Sequence, residues 1–152
     1  MSKIEFTPIG FVSNRITDSI DENWGSVFSR LTINPEFAEG IRGLHQFSHV
    51  IVITFLNHAE FKPEKHLVRR PRGLDTMPEV GIFSQRSKDR PNPIGVTAVK
   101  IENIGKGFLD VSGLDAINGT PILDIKPYYP QYDSVKDAVV PEWVGRLMHN
   151  YF

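Results

Sequence analysis

The sequence predicts a mainly all-β fold: a small closed or partly closed β-barrel with a short helix and a C-terminal amphipathic helix. Short strand-like runs are bounded by glycine, proline and asparagine turns, which favours a barrel over alternating βαβ units. The 152 residues are 40% hydrophobic and 23% charged, the balance of a globular protein. We therefore expect a single β-barrel domain spanning residues 1–152.

The first two strands are predicted at Thr7–Ser13 and Ser26–Ile33, each bounded by turn-forming residues. Within the second run, Val27, Leu31 and Ile33 are separated by even numbers of residues. Because side chains alternate along a strand, these three are expected on one face.

A short helix and a buried strand are predicted next. Asn34-Pro35-Glu36 is a helix start, because asparagine can cap a helix and proline fits its first turn. Val50–Phe55 is almost entirely apolar, which predicts a strand buried on both faces. Lys62–Pro78 contains three prolines and predicts a long basic loop, and Gly81–Gln85 predicts a short strand.

Two hairpins are predicted in the C-terminal half from their turn residues. Gly105-Lys106-Gly107 joins the predicted strands Ile94–Ile104 and Phe108–Leu114. Asn118-Gly119 joins the predicted strands Leu114–Ile117 and Pro121–Ile125.

The C-terminal helix is predicted to begin at Pro141-Glu142, and its apolar residues recur at helical spacing. Such a stripe must pack against something. The barrel of the same chain is the favoured target, and a partner subunit is the alternative. The stripe consists of Trp143, Val144, Leu147, Met148 and Tyr151.

The charges are nearly balanced, with 17 Lys plus Arg, 18 Asp plus Glu and a formal net charge of -1. A nucleic-acid partner would therefore require a local basic patch. Lys62–Arg72 supplies one, since its six basic or histidine side chains accompany Glu64 alone, and Arg86 with Lys88 and Arg90 supplies a second. The residues predicted to contact a nucleic acid or other substrate are Arg69, Arg70, Arg72, Arg90 and Asn92.

The proline-rich loop (residues 83–95) is the more distinctive of two candidate site segments. Two prolines flank Asn92, which fixes the backbone there and removes two N–H donors. A stiff loop of this kind is pre-organised for binding, and Arg86 and Arg90 offer forked donors for a carboxylate or phosphate. The alternative is a stiff turn that carries solvated charges.

The second segment contains Asp124 and Lys126 among apolar neighbours. In an extended strand, side chains two residues apart point to the same face. A partly buried ion pair and a simple salt bridge at a strand end both fit this spacing, which slightly favours the salt bridge.

These segments match a family pattern that runs roughly Phe-Ala-Thr-Arg-Ser, Arg-Pro-Asn-Pro-Ile-Gly, Asp-Gly-Thr-Pro and Asp-Ile-Lys-Pro-Tyr. On these motifs the chain resembles the TsaA family, also called TrmO, over about Phe6 to Asp133. It departs from the pattern at Ser84-Gln85, which replace Ala-Thr, and at Asn118, which replaces the usual aspartate. The matching residues are Phe83, Arg86-Ser87, Arg90–Gly95, Gly119–Pro121 and Asp124–Tyr128.

The resemblance implies that S-adenosyl-L-methionine binds on a β-barrel rather than on a Rossmann sheet. It implies a homodimer with the cofactor near the subunit interface. It also implies N6-methylation of threonylcarbamoyl-adenosine next to the anticodon of tRNA. By position, the cofactor-binding residues would be Trp24, Gly25, Ser26, Asn57, His58, Arg86, Val96, Asp115, Ala116, Ile117, Asn118 and Gly119.

The residue types suit this chemistry, because methyl transfer from a sulfonium depends mainly on alignment and charge placement. Arg86 or backbone N–H groups suit the methionine carboxylate, and Asp115 or backbone carbonyls suit the ribose hydroxyls. Trp24 or Leu114 would border a slot for adenine. Asp124 or Asp133 would accept the N6 proton. The residues predicted to act in catalysis are Asp124, Lys126 and Tyr128.

Two other functions stay open. The near-neutral net charge permits a methyltransferase that acts on a small molecule or a protein. The other alternative is a non-enzymatic module that binds S-adenosylmethionine or RNA.

No metal site or membrane span is expected. His45 and His49 have a spacing that can bind metal on a helix, but no further ligand is near. No run approaches the roughly 20 apolar residues of a membrane span. The chain has no cysteine, and its first residues lack the apolar core of a secretion signal, so the cytoplasm is the expected location.

Overall fold

The computed structural model describes residues 2–152. Its strands are β1 (Gly10–Ser13), β2 (Phe28–Ile33), β3 (His49–Phe55), β4 (Val68–Arg69), β5 (Val80–Gly81), β6 (Ile94–Gly105), β7 (Phe108–Ser112) and β8 (Pro121–Pro127). Six of them form a closed barrel in the order β1-β2-β7-β6-β3-β8, with antiparallel neighbours throughout. The predicted fold class is therefore confirmed. The short strands β4 and β5 pair in a separate two-stranded sheet.

The helices are short. The α-helices are α1 (Pro63–His66), α2 (Pro130–Asp133) and α3 (Glu142–Met148). Within residues 2–152, no helix has the length and apolar character to cross a membrane. Turns of 3-10 helix occur at Trp24–Ser26, Pro35–Ile41, Leu44–Gln46, Pro71–Gly73 and Ile82–Ser84.

Aliphatic side chains from alternate positions of the strands fill the barrel. Leu31 of β2 lies opposite Leu109 of β7, and both are completely buried. Each leucine buried in this way stabilises the fold by about 1.5–3 kcal/mol. The same core contains further aliphatic side chains from all six barrel strands: Val12, Ile33, Val50, Val52, Val99, Val111 and Ile122.

The hairpin at Gly105-Lys106-Gly107 is confirmed, since β6 and β7 pair directly on either side of it. Glycine is required at the two positions for different reasons. Gly107 has a φ of 76°, which glycine adopts without strain. A Cβ at Gly105 would lie 2.1 Å from the ring of Phe108.

The second predicted hairpin is wrong. Asn118-Gly119 does form a turn, but β8 pairs with β1 and β3 rather than with Leu114–Ile117. The Gly119 N–H donates to the carbonyl of Val12 at 2.7 Å, which directs the chain to β1. Leu114 still points into the core, so the apolar alternation reflects burial without strand pairing.

Three strand predictions need smaller corrections. The first strand begins at Gly10 rather than Thr7, and the second begins at Phe28. Ser29 is buried on the inner face with Leu31 and Ile33, and Val27 precedes the strand and is half-buried. Ser29 is held by a 3.0 Å hydrogen bond from the Asn14 amide. The β3 strand is buried on its inner face only, because its outer side chains are partly exposed.

The segment predicted as a long basic loop, Lys62–Pro78, contains α1, β4 and a 3-10 turn instead of irregular chain. The strand predicted at Gly81–Gln85 is also wrong. The extended stretch, β5, ends at Gly81 because its partner β4 is only two residues long. The buried Gln85 side chain then donates to the carbonyls of Arg69 (3.0 Å) and Val80 (3.1 Å), which fixes the path of the basic segment.

Hydrogen bonds attach the end of the chain to other parts of the same chain, and the target of the apolar stripe of α3 stays a prediction. Arg146 donates to the Thr76 carbonyl at 3.2 Å. After α3, the carbonyls of Asn150 and Tyr151 accept hydrogen bonds from the N–H groups of Asn23 (2.7 Å) and Trp24 (2.8 Å). We call residues 150–152 the C-terminal tail.

Candidate functional site

The predicted cofactor-binding residues gather at one end of the barrel. Because neighbouring strands are antiparallel, the C-terminal ends of β1, β3 and β7 meet the N-terminal ends of β2, β6 and β8 there. Trp24–Ser26 precede β2, Asn57-His58 follow β3, Arg86 precedes β6, and Asp115–Gly119 connect β7 to β8. Val96 is the third residue of β6. The barrel topology thus brings together segments that are far apart in the sequence.

The proline-rich loop is fastened to this end of the barrel by hydrogen bonds. Arg90 donates to the carbonyls of Gln85 (3.1 Å) and Ser87 (3.2 Å), which folds the loop onto itself. The Leu56 N–H donates to the Pro93 carbonyl at 2.8 Å, so the loop lies beside Asn57-His58. Arg90 therefore stabilises the loop.

Arg86 binds an edge of β6 that no barrel strand covers. The pairing of β7 with β6 begins only at Lys100, so residues 94–99 of β6 extend beyond the end of β7. On this stretch the Val96 carbonyl accepts a 3.0 Å hydrogen bond from the exposed Arg86 guanidinium. An open depression of about 370 Å³ lies here, lined by Arg86, Arg90, Asn92, Ile94 and Val96.

Asp115 contacts the same stretch of β6 at Thr97, the residue that follows Val96. Its carboxylate accepts one hydrogen bond from the Thr97 hydroxyl and another from the Tyr151 hydroxyl of the C-terminal tail. Burial raises the pKa of Tyr151 well above its usual value, and the Asp115 carboxylate raises that pKa further. Tyr151 therefore stays protonated and donates. Sequence reasoning missed both hydroxyl partners, because neither carries a motif.

Two predicted adenine-slot residues are buried. Trp24 is 3% exposed, and its indole N–H donates to the Ile20 carbonyl at 2.9 Å. Leu114 is 1% exposed. Neither side chain therefore faces an open slot in this structure. Gly25 lies directly beneath the tail, since a Cβ there would meet the Phe152 carbonyl carbon at 2.7 Å.

The Asn118 turn and the Asn92 turn are fastened to different strands. Asn118 accepts a hydrogen bond from the Asn14 N–H (3.1 Å), and its own N–H donates to Ile16 (2.7 Å), just after β1. The Asn92 turn adjoins the end of β3, and β8 lies between β1 and β3. The two turns therefore share one end of the barrel but have separate anchors.

The predicted catalytic residues lie on the outer surface of the barrel. Val96, Ile53 and Asp124 are successive partners across β6, β3 and β8, so Val96 and Asp124 are about 10 Å apart. The Asp124–Lys126 pair has a 2.7 Å N–O distance, and the two side chains are 45% and 59% exposed. It is a surface salt bridge rather than a buried pair, and the Asp124 carboxylate raises the pKa of Lys126.

Tyr128 lies toward the opposite end of the barrel. Its N–H donates to the carbonyl of His49, the first residue of β3, at 3.1 Å. Four residues of extended strand separate His49 from Ile53, which corresponds to about 13 Å. Within one chain, Tyr128 is therefore far from the residues around Arg86.

The arginines of the basic segment are engaged by the protein itself. Arg69 lies 3.8 Å from Asp89, and Arg72 lies 3.8 Å from Asp21 and faces the Tyr151 ring at 5.6 Å. Arg70 donates to the Met77 carbonyl. All three are partly buried. The exposed cations of this region are Lys65, Arg86 and Lys88.

The paired histidines lie apart from these residues. His45 is in the 3-10 turn Leu44–Gln46, and His49 begins β3, where its Nδ1 lies 2.6 Å from the Ser48 hydroxyl. Within residues 2–152, no group of three or more His, Asp or Glu side chains is arranged to hold a metal.

Comparison with known proteins identifies the family of this chain. Residues 22–134 match the family model TrmO_N, described as tRNA-methyltransferase O N-terminal domain. The chain is 36% identical over 138 residues to a "Probable S-adenosyl-L-methionine-binding protein" of Methanothermobacter thermautotrophicus, which covers 88% of this chain and 96% of that protein. It is 42% identical over 123 residues to the tRNA (adenine(37)-N6)-methyltransferase of Homo sapiens, covering 80% of this chain and 26% of that enzyme.

The solved structure of TrmO from Pseudomonas aeruginosa has the same fold, with a TM-score of 0.76 and 29% sequence identity. That match covers 94% of this chain and 62% of the Pseudomonas chain. The chain thus spans about a quarter of the human enzyme and less than two thirds of the Pseudomonas protein. The sequence motifs, the barrel topology and the family match agree that this chain belongs to the TrmO_N family, the N-terminal domain family of tRNA-methyltransferase O.

Proposed function

We propose that this chain is an S-adenosylmethionine-dependent methyltransferase that acts on N6 of adenosine next to the anticodon of tRNA, with threonylcarbamoyl-adenosine as the modified acceptor. The observation that carries the proposal is that every candidate cofactor residue belongs to one end of the barrel in a chain of the TrmO_N family. The names of the human enzyme and the Methanothermobacter protein supply the reaction and the ligand.

The residues present fit this cofactor in size and chemistry. The depression beside Arg86 has a volume of about 370 Å³, within the range of about 300–1,000 Å³ typical of small-molecule sites. Its lining combines a guanidinium, an amide and the apolar side chains of Ile94 and Val96. The Asp115 carboxylate adds an acceptor on the same stretch of β6. A cation, an acceptor and an apolar surface are what an amino-acid nucleoside requires.

Each residue has a distinct part in this proposal. S-adenosylmethionine supplies an electrophilic methyl group on a positively charged sulfur. Arg86 binds the methionine carboxylate through charge-assisted hydrogen bonds. Asp115 accepts hydrogen bonds from the ribose hydroxyls. Asn57 and His58, exposed beside the proline-rich loop, complete the wall of the site.

Asp124 is the proposed acceptor of the N6 proton. Its Oδ1 accepts a 2.9 Å hydrogen bond from the Ile125 N–H, and its Oδ2 accepts from Lys126. Two donors hold the carboxylate on the outer face of β8, about 10 Å from Val96. Lys126 stays protonated and offsets the negative charge of the substrate, and Tyr128 contacts the substrate farther along the same surface.

We also propose a homodimer whose interface adjoins the cofactor site. Phe55, Ile94 and Val96 are 41%, 39% and 45% exposed on the outer face of β3 and β6, and Phe83 nearby is 80% exposed. A second copy of this chain would cover this apolar surface and the open depression. Light scattering should give a mass twice that of the monomer, and Phe83→Asp should reduce the measured mass to that of one monomer. A monomeric wild-type protein would contradict the dimer.

We propose that residues 1–152 form one domain, since the barrel holds the core and the C-terminal tail folds back onto it. We propose the cytoplasm as its location, because a tRNA substrate is found there. Fractionation of cells that express the protein would test this.

Mass spectrometry of tRNA nucleosides tests the function directly. The pure protein is incubated with labelled S-adenosylmethionine and tRNA from cells that lack the enzyme. We expect labelled methyl on N6 of the modified adenosine, and slower transfer with Arg86→Ala at a cofactor concentration below saturation. Cofactor binding without any methyl transfer to tRNA would reject the tRNA substrate.

A second candidate is a methyltransferase with an acceptor other than tRNA. It is favoured by one observation: Arg69, Arg70 and Arg72 are each engaged within the protein, in a chain of net charge -1. Titration of tRNA at several salt concentrations distinguishes the two. Phosphate contacts weaken as salt rises, so a salt-insensitive or absent interaction would favour the second candidate.

A further inference from the structure

The Asp115 carboxylate is held between two hydroxyl groups from distant parts of the chain. The Thr97 hydroxyl donates to Oδ1, and the Tyr151 hydroxyl donates to Oδ2. Rotation of the carboxylate would break both hydrogen bonds. Asp115 therefore has one preferred orientation before any ligand binds.

Tyr151 is itself fixed by its neighbours in the tail. Its carbonyl accepts the Trp24 N–H at 2.8 Å, and the preceding carbonyl of Asn150 accepts the Asn23 N–H at 2.7 Å. The Arg72 guanidinium faces its ring at 5.6 Å. These contacts place the hydroxyl at Asp115 without relying on side-chain packing alone.

Two donors leave the carboxylate with unused capacity. An ionised carboxylate has about four acceptor positions, and the two hydroxyls occupy one on each oxygen. The free positions can accept from hydroxyl groups of a ligand. Because the side chain is already ordered, binding does not have to restrict its rotation, which improves affinity.

We propose that Tyr151 is a positioning residue that orients Asp115 to accept hydrogen bonds from the ribose hydroxyls of the cofactor. This rests on the proposed function of the Arg86–Asp115 site. Tyr151 acts through Asp115 and does not touch the ligand. The tail thereby completes the cofactor site from a position 36 residues away in sequence.

Calorimetry with two ligands tests the proposal. One is S-adenosylhomocysteine, and the other is its analogue that lacks both ribose hydroxyls. We expect Tyr151→Phe to weaken S-adenosylhomocysteine binding roughly three- to tenfold, the effect of about one neutral hydrogen bond, and to leave the analogue unchanged. Thr97→Val removes the other donor with little change of shape and should give the same selective loss.

Tyr129→Phe is the matched control. Tyr129 is 49% exposed, stacks on Phe47, and its hydroxyl makes no hydrogen bond within residues 2–152. Loss of the Tyr129 hydroxyl should change the affinity for neither S-adenosylhomocysteine nor its analogue. Melting curves should show that every variant is folded.

The outcomes distinguish a failure of the positioning role of Tyr151 from a failure of the proposed function. The positioning role is wrong, and the site stands, if Tyr151→Phe binds both ligands as tightly as the wild type does. The same conclusion follows if the substitution lowers the affinity for both ligands by the same factor. If the wild type binds neither ligand, the proposed function fails and the positioning role with it.

Discussion

The guanidinium of Arg86 donates a 3.0 Å hydrogen bond to the carbonyl oxygen of Val96, which ties the proline-rich loop to the uncovered edge of β6. The contact uses one nitrogen of a five-donor group, so other N–H groups of Arg86 stay available to a ligand. One side chain thus fixes the loop and presents a cation at the depression.

Arg86→Ala should weaken S-adenosylmethionine binding by about 1.5–3 kcal/mol, because a charge-assisted hydrogen bond is removed. Calorimetry measures the change, and a melting curve shows whether the loop contact also contributes to stability. Arg42→Ala is the control, since Arg42 is an exposed arginine whose only salt bridge within residues 2–152 is to Glu39, at a distance from the site. Equal affinity in wild type and Arg86→Ala would remove Arg86 from the cofactor site.

Reversal of the exposed charges Lys65 and Lys88 to glutamate should weaken tRNA binding and leave cofactor affinity unchanged. The dependence of log affinity on log salt should become shallower by about one for each lysine–phosphate interaction that the substitutions abolish. These two lysines are better probes than Arg69 or Arg70, whose reversal would break interactions within the protein. Lys106→Glu is the control.

Lys106 lies in the β6–β7 turn at the far end of the barrel and is exposed. Fluorescence titrations at several salt concentrations measure the tRNA affinity of the wild type, of the protein with Lys65 and Lys88 reversed, and of Lys106→Glu. An identical loss of tRNA affinity for Lys106→Glu would show that net charge, rather than a located patch, governs the interaction.

Gly25→Ala should detach the C-terminal tail. The added Cβ would lie 2.7 Å from the Phe152 backbone, so the tail must move and lose its hydrogen bonds to Asn23 and Trp24. At about 0.5–1.5 kcal/mol for each bond, the free energy of local opening should fall by about 1–3 kcal/mol. Hydrogen exchange at those two amides measures it.

Gly145→Ala provides a paired comparison, because a Cβ there meets nothing within 4 Å and the residue lies inside α3. It should stabilise the helix by about 0.5–1 kcal/mol. Undiminished protection of the two amides in Gly25→Ala would mean that the tail is not held as the structure indicates.

Asp110 should make the barrel sensitive to acid. Its hydrogen bonds with Arg30, at 2.7 and 3.0 Å, hold the pKa of the carboxyl below its usual value. A lowered folded-state pKa contributes stability above the unfolded-state pKa, about 4, and that contribution is lost as the pH falls through the folded-state value. Asp110→Asn should therefore lower the melting temperature slightly at pH 7.

The difference between the two proteins should shrink below about pH 4. Melting curves from pH 7 to pH 3 measure it, and the effect should be small because the pair is exposed. A difference that grows toward low pH would contradict the assignment.

Local turn chemistry could be read from the sequence, and non-local pairing could not. The glycines at 105 and 107 joined β6 to β7 as predicted, because both strands adjoin the turn. Asn118-Gly119 carried an equally strong hairpin signal, yet β8 pairs with β1 and β3. Nothing in a turn dipeptide specifies a partner strand a hundred residues away.

The candidate site shows the same division. The motif around Arg86 located the loop, and the family resemblance indicated Asp115 without its hydroxyl partners. The charges of Arg69 and Arg72 suggested a free basic patch, but their interactions with Asp89 and Asp21 depend on tertiary structure. Tyr151 looked like part of an apolar stripe, and only the folded chain shows its hydroxyl at a carboxylate.

Closure of the barrel has a consequence for the order of folding. The seam between β1 and β8 consists of two register pairs, Gly10 with Ile122 and Phe11 with Pro121, whose members are far apart in the sequence. Pairings so distant in sequence carry a large entropic cost before they stabilise anything. The β6–β7 hairpin needs only a two-residue loop, Lys106-Gly107, and can form within microseconds. We therefore expect refolding to begin at that hairpin and the seam to close last.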